Sequence, residues 1–163
     1  VCSSDLSGVQ LKGTRMIRSV LVVCVGNVCR SPVGERLLQT LAPQIVVTSA
    51  GLAALVGHAA DAQAAEVARA AGVDLGGHAA RQFTPALGQA ADLILVMEPG
   101  HKAKICRDAP QCSGKTMLFD HWSGAGGIAD PYQRSTEFHR AVFDQIKSAA
   151  TIWAKRLNPK APV

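Results

Sequence analysis

Four short apolar runs punctuate the chain, at Ser19 to Val23, Ile45 to Thr48, Leu93 to Met97 and Thr116 to Phe119. Each is too short for a helix and rich in branched aliphatic residues, the pattern of strands buried on both faces. The segments between them carry helical periodicity. After the first run, Val33-Gly-Glu-Arg-Leu-Leu-Gln-Thr-Leu41 places Leu37, Leu38 and Leu41 at helical spacing, and Pro32 suits a first helical position. Asp61 predicts an N-cap for a helix over Ala62 to Ala71 with Gly72 as its stop, and a shorter helix is expected near Thr84 to Gln89. Glu98 or Pro99 opens another, running to about Asp108. In the last helix Phe138, Val142, Phe143, Ile146, Ala149, Ala150, Trp153 and Leu157 recur on one face and read as core. The alternation predicts an α/β fold: an open four-stranded parallel sheet with helices on both faces. Ligands of such sheets bind at the carboxyl ends of the strands.

Chemistry concentrates where the first strand ends. In Cys24-Val-Gly-Asn-Val-Cys-Arg30-Ser31 a thiol and a guanidinium bracket five residues. A loop leading from strand to helix there would aim the N–H groups of Val25, Gly26, Asn27, Val28, Cys29, Arg30 and Ser31 at one anion beside the Cys24 sulfur. A helix N-terminus and a nearby cation lower a thiol pKa from its ordinary value of about 8.5, which makes Cys24 a candidate nucleophile. Arg30 returns to the same point with a planar fork that grips two phosphoryl oxygens. Ser31 can donate a hydrogen bond to the sulfur. Gly26 and Asn27 tolerate left-handed backbone, as a loop folding its N–H groups inward requires. A bare Cys-x5-Arg spacing would more often be a buried strand-end thiol with a surface Arg. The Gly and Asn inside, the Ser-Pro after it, the strand before and the amphipathic helix beyond set this match apart. A second feature is the long Gly-rich connection from Asp120 to Arg134, a kind of loop that is often functional in a compact domain.

At these residues the chain resembles the low molecular weight protein tyrosine phosphatases, most closely the bacterial enzymes encoded with capsule and exopolysaccharide machinery. The likeness runs from about Ile17 to Leu157. It includes Val22-Val-Cys-Val-Gly-Asn-Val-Cys-Arg-Ser-Pro32, Thr48-Ser-Ala-Gly-Leu52, Gly77-His-Ala-Ala-Arg-Gln82, Asp92-Leu-Ile-Leu-Val-Met97 and Asp130-Pro-Tyr132. The resemblance implies a cytoplasmic hydrolase of phosphotyrosine proteins that works through a phosphocysteine intermediate, with no cofactor and no metal. Its implied partner is a tyrosine autokinase with a Tyr-rich tail governing polysaccharide export.

Residue by residue, the resemblance makes Asp130 the general acid that protonates the leaving tyrosyl oxygen and then the base that activates water. On its own Asp130-Pro131 would read as a turn. Tyr132 and Leu55 become the substrate walls. Leu55 falls where many relatives carry an aromatic, so the aromatic sandwich is less complete. Val28 resembles the tyrosine phosphatases, whereas related protein-arginine phosphatases place Thr there. Asn27, Ser31, Ser49 and His78 match the polar network supporting the loop. Cys29 is implied as a resolving thiol that traps oxidised Cys24, against the alternative of a small side chain packing beneath the loop.

Composition narrows the picture in a few places. The 163 residues suffice for one domain, assigned to 16–163, and no stretch approaches the roughly 20 uninterrupted apolar residues of a membrane span. The formal charge of +5 is scattered, and no interleaving of aromatic and basic residues suggests nucleic acid. Five cysteines form no regular framework, so reduced thiols are expected; Cys24-x4-Cys29 and Cys106-x5-Cys112 lack the usual ligand gaps of zinc sites. Residues 1–15 precede Met16, which stands just before the first strand, and Val1 to Leu6 resembles the translation of a sequencing adapter. They are expected to be a non-native or disordered extension.

Two other functions remain to be weighed. An arsenate reductase uses the same fold and loop but needs relay cysteines after the third strand, earlier than Cys106 and Cys112. A non-catalytic phosphopeptide-binding module needs the cradle but neither the thiol nor Asp130.

Overall fold

A computed structural model describes residues 16–158, so the expected extension over 1–15 lies outside the described residues. The elements run β1 (Ser19–Cys24), α1 (Arg30–Leu41), β2 (Val46–Gly51), α2 (Ala62–Ala70), α3 (Pro85–Ala90), β3 (Leu93–Val96), α4 (Pro99–Asp108), β4 (Thr116–Leu118) and α5 (Thr136–Leu157). All strand pairs are parallel, in the order β2-β1-β3-β4. The central strand is therefore β1, and the carboxyl ends of β2 and β3 flank the loop that follows it.

Alternate residues of β1 feed two core layers. Val20, Val22 and Cys24 pack with Val33, Leu37 and Leu38 of α1 and with Val142, Ile146 and Trp153 of α5. Leu21 and Val23 face the other way, into a layer with Phe83, Ile94, Val96, Ile105 and Cys112. Burial on both faces explains the unbroken apolar sequence of these strands. From Val142 to Leu157 the stripe on α5 is core as the periodicity predicts, Phe138 is only partly buried, and Ser135 caps that helix by accepting from Phe138 N–H at 3.2 Å. No helix among the described residues is long and apolar enough to cross a membrane.

Element bounds differ from the sequence reading at several points, and β1 takes in Cys24 itself. β2 continues to Gly51, because Ser49, Ala50 and Gly51 pair with Val22, Val23 and Cys24 although two of the three lack the expected apolar character. α1 begins at Arg30 rather than at Pro32, which puts Arg30 and Ser31 inside its first turn. Pro110–Lys115 forms a 3-10 turn that the apolar pattern did not indicate.

Candidate active site

Five residues connect Cys24 to Arg30, and neighbouring segments fix which way their peptide groups point. Leu52, Ala53 and Leu55 donate their N–H groups to the carbonyls of Cys24, Val25 and Gly26 at 2.9, 3.0 and 3.0 Å. Asp61 N–H donates to the Val28 carbonyl at 2.9 Å, and His78 Nε2 donates to the Asn27 carbonyl at 2.6 Å. In a planar trans peptide the N–H of the next residue points opposite to the carbonyl. Five carbonyls held from outside therefore turn the N–H groups of Val25 to Cys29 inward, and among the described residues none of these N–H groups has a backbone acceptor. The first turn of α1 adds more donors: it alone among the described α-helices has neither a capping side chain nor a capping box. Such an array suits an oxyanion.

Asn27 supplies the bend. Its φ is +59°, whereas Gly26 stays outside the left-handed region, so only one of the two expected residues takes it. A Cβ at Gly26 would make only ordinary contacts, with Val28 and Leu55 at 3.6 and 3.9 Å on the cavity wall. The Asn27 side chain then locks the bend. Its Nδ2 donates to Ser31 Oγ at 2.7 Å and Ser49 Oγ at 3.0 Å, while Oδ1 accepts from Arg81 N–H at 2.9 Å. Ser49 Oγ in turn donates a hydrogen bond to Glu35 Oε1 at 3.1 Å. Because Ser31 Oγ accepts from Asn27, its single hydrogen is free for Cys24 Sγ, 2.9 Å away. The Ser31 hydroxyl thereby holds the Cys24 sulfur at the floor of the loop.

Arg30 is 1% exposed, and its two edges differ. Nη1 donates to Glu98 Oε2 at 2.7 Å and to the Ile128 carbonyl at 2.8 Å. Nε is buried without a partner among the described residues, and Nη2 has only Asp130 Oδ2 at 3.6 Å. The edge carrying Nε and Nη2 is thus the one a phosphoryl group can take bidentately. Asp130 is half-exposed and held in an Asx-turn by the Tyr132 N–H, which donates to Oδ1 at 3.0 Å. Cys24, Val28, Cys29, Arg30, Leu55, Asp130 and Tyr132 all line one cavity of about 180 Å³, together with Val25, Gly26 and Ala53.

The sequence profile described as "Low molecular weight phosphotyrosine protein phosphatase" matches residues 19–163. The chain belongs to this family. It is 48% identical over 143 residues to the low molecular weight protein-tyrosine-phosphatase Wzb of Escherichia coli strain K12, covering 88% of this chain and 97% of Wzb. Among solved structures, the tyrosine phosphatase Wzb from Escherichia coli K30 in complex with sulphate superposes with a TM-score of 0.86 at 48% identity, over 87% of this chain and 99% of that one. Vibrio vulnificus Wzb in complex with benzylphosphonate gives 0.84 at 49% identity, over 85% and 98%. The chain is a low molecular weight protein-tyrosine phosphatase.

Several residues of this phosphatase's site escaped the sequence reading. Arg81 reaches the loop at Asn27, and through Nε the Ser49 carbonyl at 2.9 Å, and Glu98 reaches Arg30, whereas Glu35 and His101 act one step further out, on Ser49 and on Glu98. Arg81 sat unassigned inside a quoted motif, and Glu98 stood only as a helix opener. Burial, then the charges of Asp61, Cys24 and Asp130, push the Cys29 thiol far above its ordinary pKa. Cys29 is therefore a protonated thiol, and Cys24, Cys29 and Cys112 are free.

Gly51 marks where β2 touches the phosphatase loop. A Cβ on it would lie 2.4 Å from the Val25 carbonyl and 3.0 Å from Asn27 N. Gly51→Ala is expected to displace the loop, with a stability loss of about 1–3 kcal/mol and an inhibition constant for inorganic phosphate raised several-fold. Denaturant titration and competition against p-nitrophenyl phosphate check both; an unchanged inhibition constant would place the strain elsewhere.

Proposed function

We propose that this phosphatase hydrolyses phosphotyrosine in proteins by two in-line displacements at Cys24. The thiolate attacks phosphorus, Arg30 and the inward N–H groups bind the three equatorial oxygens, and Asp130 delivers its proton to the departing tyrosyl oxygen. The sulfur–phosphorus bond forms as the phosphorus–oxygen bond breaks. Water then attacks phosphocysteine, Asp130 takes its proton, and inorganic phosphate leaves with the thiolate regenerated. Asn27, Ser31, Ser49 and His78 hold the cradle, and Leu55 and Tyr132 flank the ring. The observation that carries this reading is the meeting of Cys24, the open edge of Arg30 and Asp130 in one cavity.

The same site favours a phosphatase over an arsenate reductase, whose relay needs further thiols near the nucleophile. Cys112 is fully buried in the core layer on the sheet face opposite the one that receives Cys24, and Cys106 lies within α4. Val28, buried at the cavity wall, supports tyrosine over phosphoarginine as substrate. Cys29, directly before Arg30 on the same loop, is the resolving partner: once a peroxide has oxidised Cys24 to its sulfenic acid, the Cys29 sulfur attacks Cys24 Sγ, the S–O bond breaks and water leaves as the disulfide forms. We place the enzyme in the cytoplasm, acting on the Tyr-rich tail of a tyrosine autokinase of polysaccharide production.

Rapid acid quench with a phosphotyrosyl peptide, followed by mass spectrometry, should find the phosphoryl group on the Cys24 peptide. Activity confined to thiol-dependent arsenate reduction would overturn the assignment. A Cys24→Ser trap expressed in cells should retain the phosphorylated autokinase; retention of an unrelated phosphoprotein instead would move the substrate assignment.

A further inference from the structure

His101 is buried against the Arg30 assembly yet takes no part in the steps above. It stands at the third position of α4, and its ring makes two contacts with one residue. Nδ1 accepts the Glu98 N–H at 3.2 Å, completing a capping box, and Nε2 lies 3.2 Å from Glu98 Oε2. An acceptor at Nδ1 leaves the ring proton on Nε2, so the imidazole donates to the carboxylate. That same Oε2 receives Arg30 Nη1 at 2.7 Å. The imidazole, the carboxylate and the guanidinium form one chain, and its far end is the phosphoryl-binding edge of Arg30.

We propose that His101 is a positioning residue for phosphoryl transfer: it fixes the Glu98 carboxylate, and through it the rotation of the Arg30 plane toward the cavity. This rests on Arg30 being the phosphoryl-binding residue proposed above. Glu98 is 41% exposed, and a carboxylate that open to water has several rotamers from which to choose. The ring clamps it at both its backbone N–H and its side chain. Burial and the Arg30 charge lower the His101 pKa, while Glu98 and Asp130 raise it less, so the ring keeps the neutral form that this double contact needs.

Glutamine and glutamate both serve at the third position of a capping box, but only glutamine can also donate to Glu98. The pair His101→Gln and His101→Glu therefore separates helix capping from positioning. His101→Gln is expected to keep kcat and the phosphate inhibition constant near wild type. His101→Glu should lower kcat about tenfold and weaken phosphate inhibition by a similar factor, with thermal stability within a few degrees of His101→Gln. In a Glu98→Ala background the difference between the two should vanish, since His101 acts through that carboxylate. Equal kcat for the two variants in the wild-type background, or a difference that persists without Glu98, would overturn the proposal. Arg30→Met is the control for the underlying reading: if it retains wild-type kcat and phosphate inhibition, the assignment of Arg30 fails, whereas an inactive Arg30→Met beside equal His101 variants condemns only the role of His101.

Discussion

Cys24→Ser is expected to abolish turnover, by on the order of 10⁴-fold or more in kcat, while leaving inorganic phosphate bound with an affinity within a few-fold of wild type. The asymmetry follows from where the two functions reside. Binding draws on the inward N–H groups, the first turn of α1 and the Arg30 fork, none of which the substitution touches. Turnover needs a nucleophile that is ionised near neutral pH, and a serine hydroxyl beside Ser31 has no base to take its proton: Ser31 Oγ accepts from Asn27 and is itself only a hydroxyl. Steady-state hydrolysis of a phosphotyrosyl peptide and phosphate titration by calorimetry give the two numbers. Equal hydrolysis by wild type and Cys24→Ser would rule out the phosphocysteine route.

Asp130→Asn is expected to cost on the order of 10²- to 10³-fold in kcat with phosphotyrosine and distinctly less with p-nitrophenyl phosphate. The difference is chemical: p-nitrophenolate leaves without a proton, whereas a tyrosyl oxygen needs one in the transition state. The substitution should also tighten phosphate binding. The Asp130 carboxylate faces Arg30 Nη2 at 3.6 Å and competes with an incoming anion for that donor. Removing its charge relieves the competition, so KM falls together with kcat. An equal loss on both esters would show that Asp130 acts on something other than the leaving group.

How far the site could be read from the chain depended on contiguity. Cys24 to Ser31 packs a thiol, a guanidinium and a left-handed residue into eight positions, and the structure brings the thiol and the guanidinium to the cavity while Asn27 braces the loop behind them. Asp130 and Tyr132 were legible only through the length of their loop and the likeness of Asp-Pro-Tyr to a known family. Glu98 carried only the signal of a helix start, and His101 none. They matter because β3 pairs with β1 and so delivers its carboxyl end, and the start of α4, beside Arg30. Glu35 likewise reaches Ser49 from the second turn of α1, a surface-type residue whose use depends on the parallel register of β1 and β2. The early end assigned to β2 has the same cause: Ser49 looks like a loop residue until the register pairs it with Val22 and its hydroxyl meets Asn27.

The five outward carbonyls of the loop are held by residues 52, 53, 55, 61 and 78, and its bend by residues 49 and 81. The shape of the anion cradle is thus stored in strands and turns remote in sequence, and very little of it in the loop's own backbone preferences. Such a motif is not portable. Grafted onto another strand-loop-helix junction, Cys24 to Ser31 would bring its nucleophile and its guanidinium but leave behind the partners that turn its amides inward. The unit that can be transplanted, shuffled or inherited with its chemistry intact is the whole sheet.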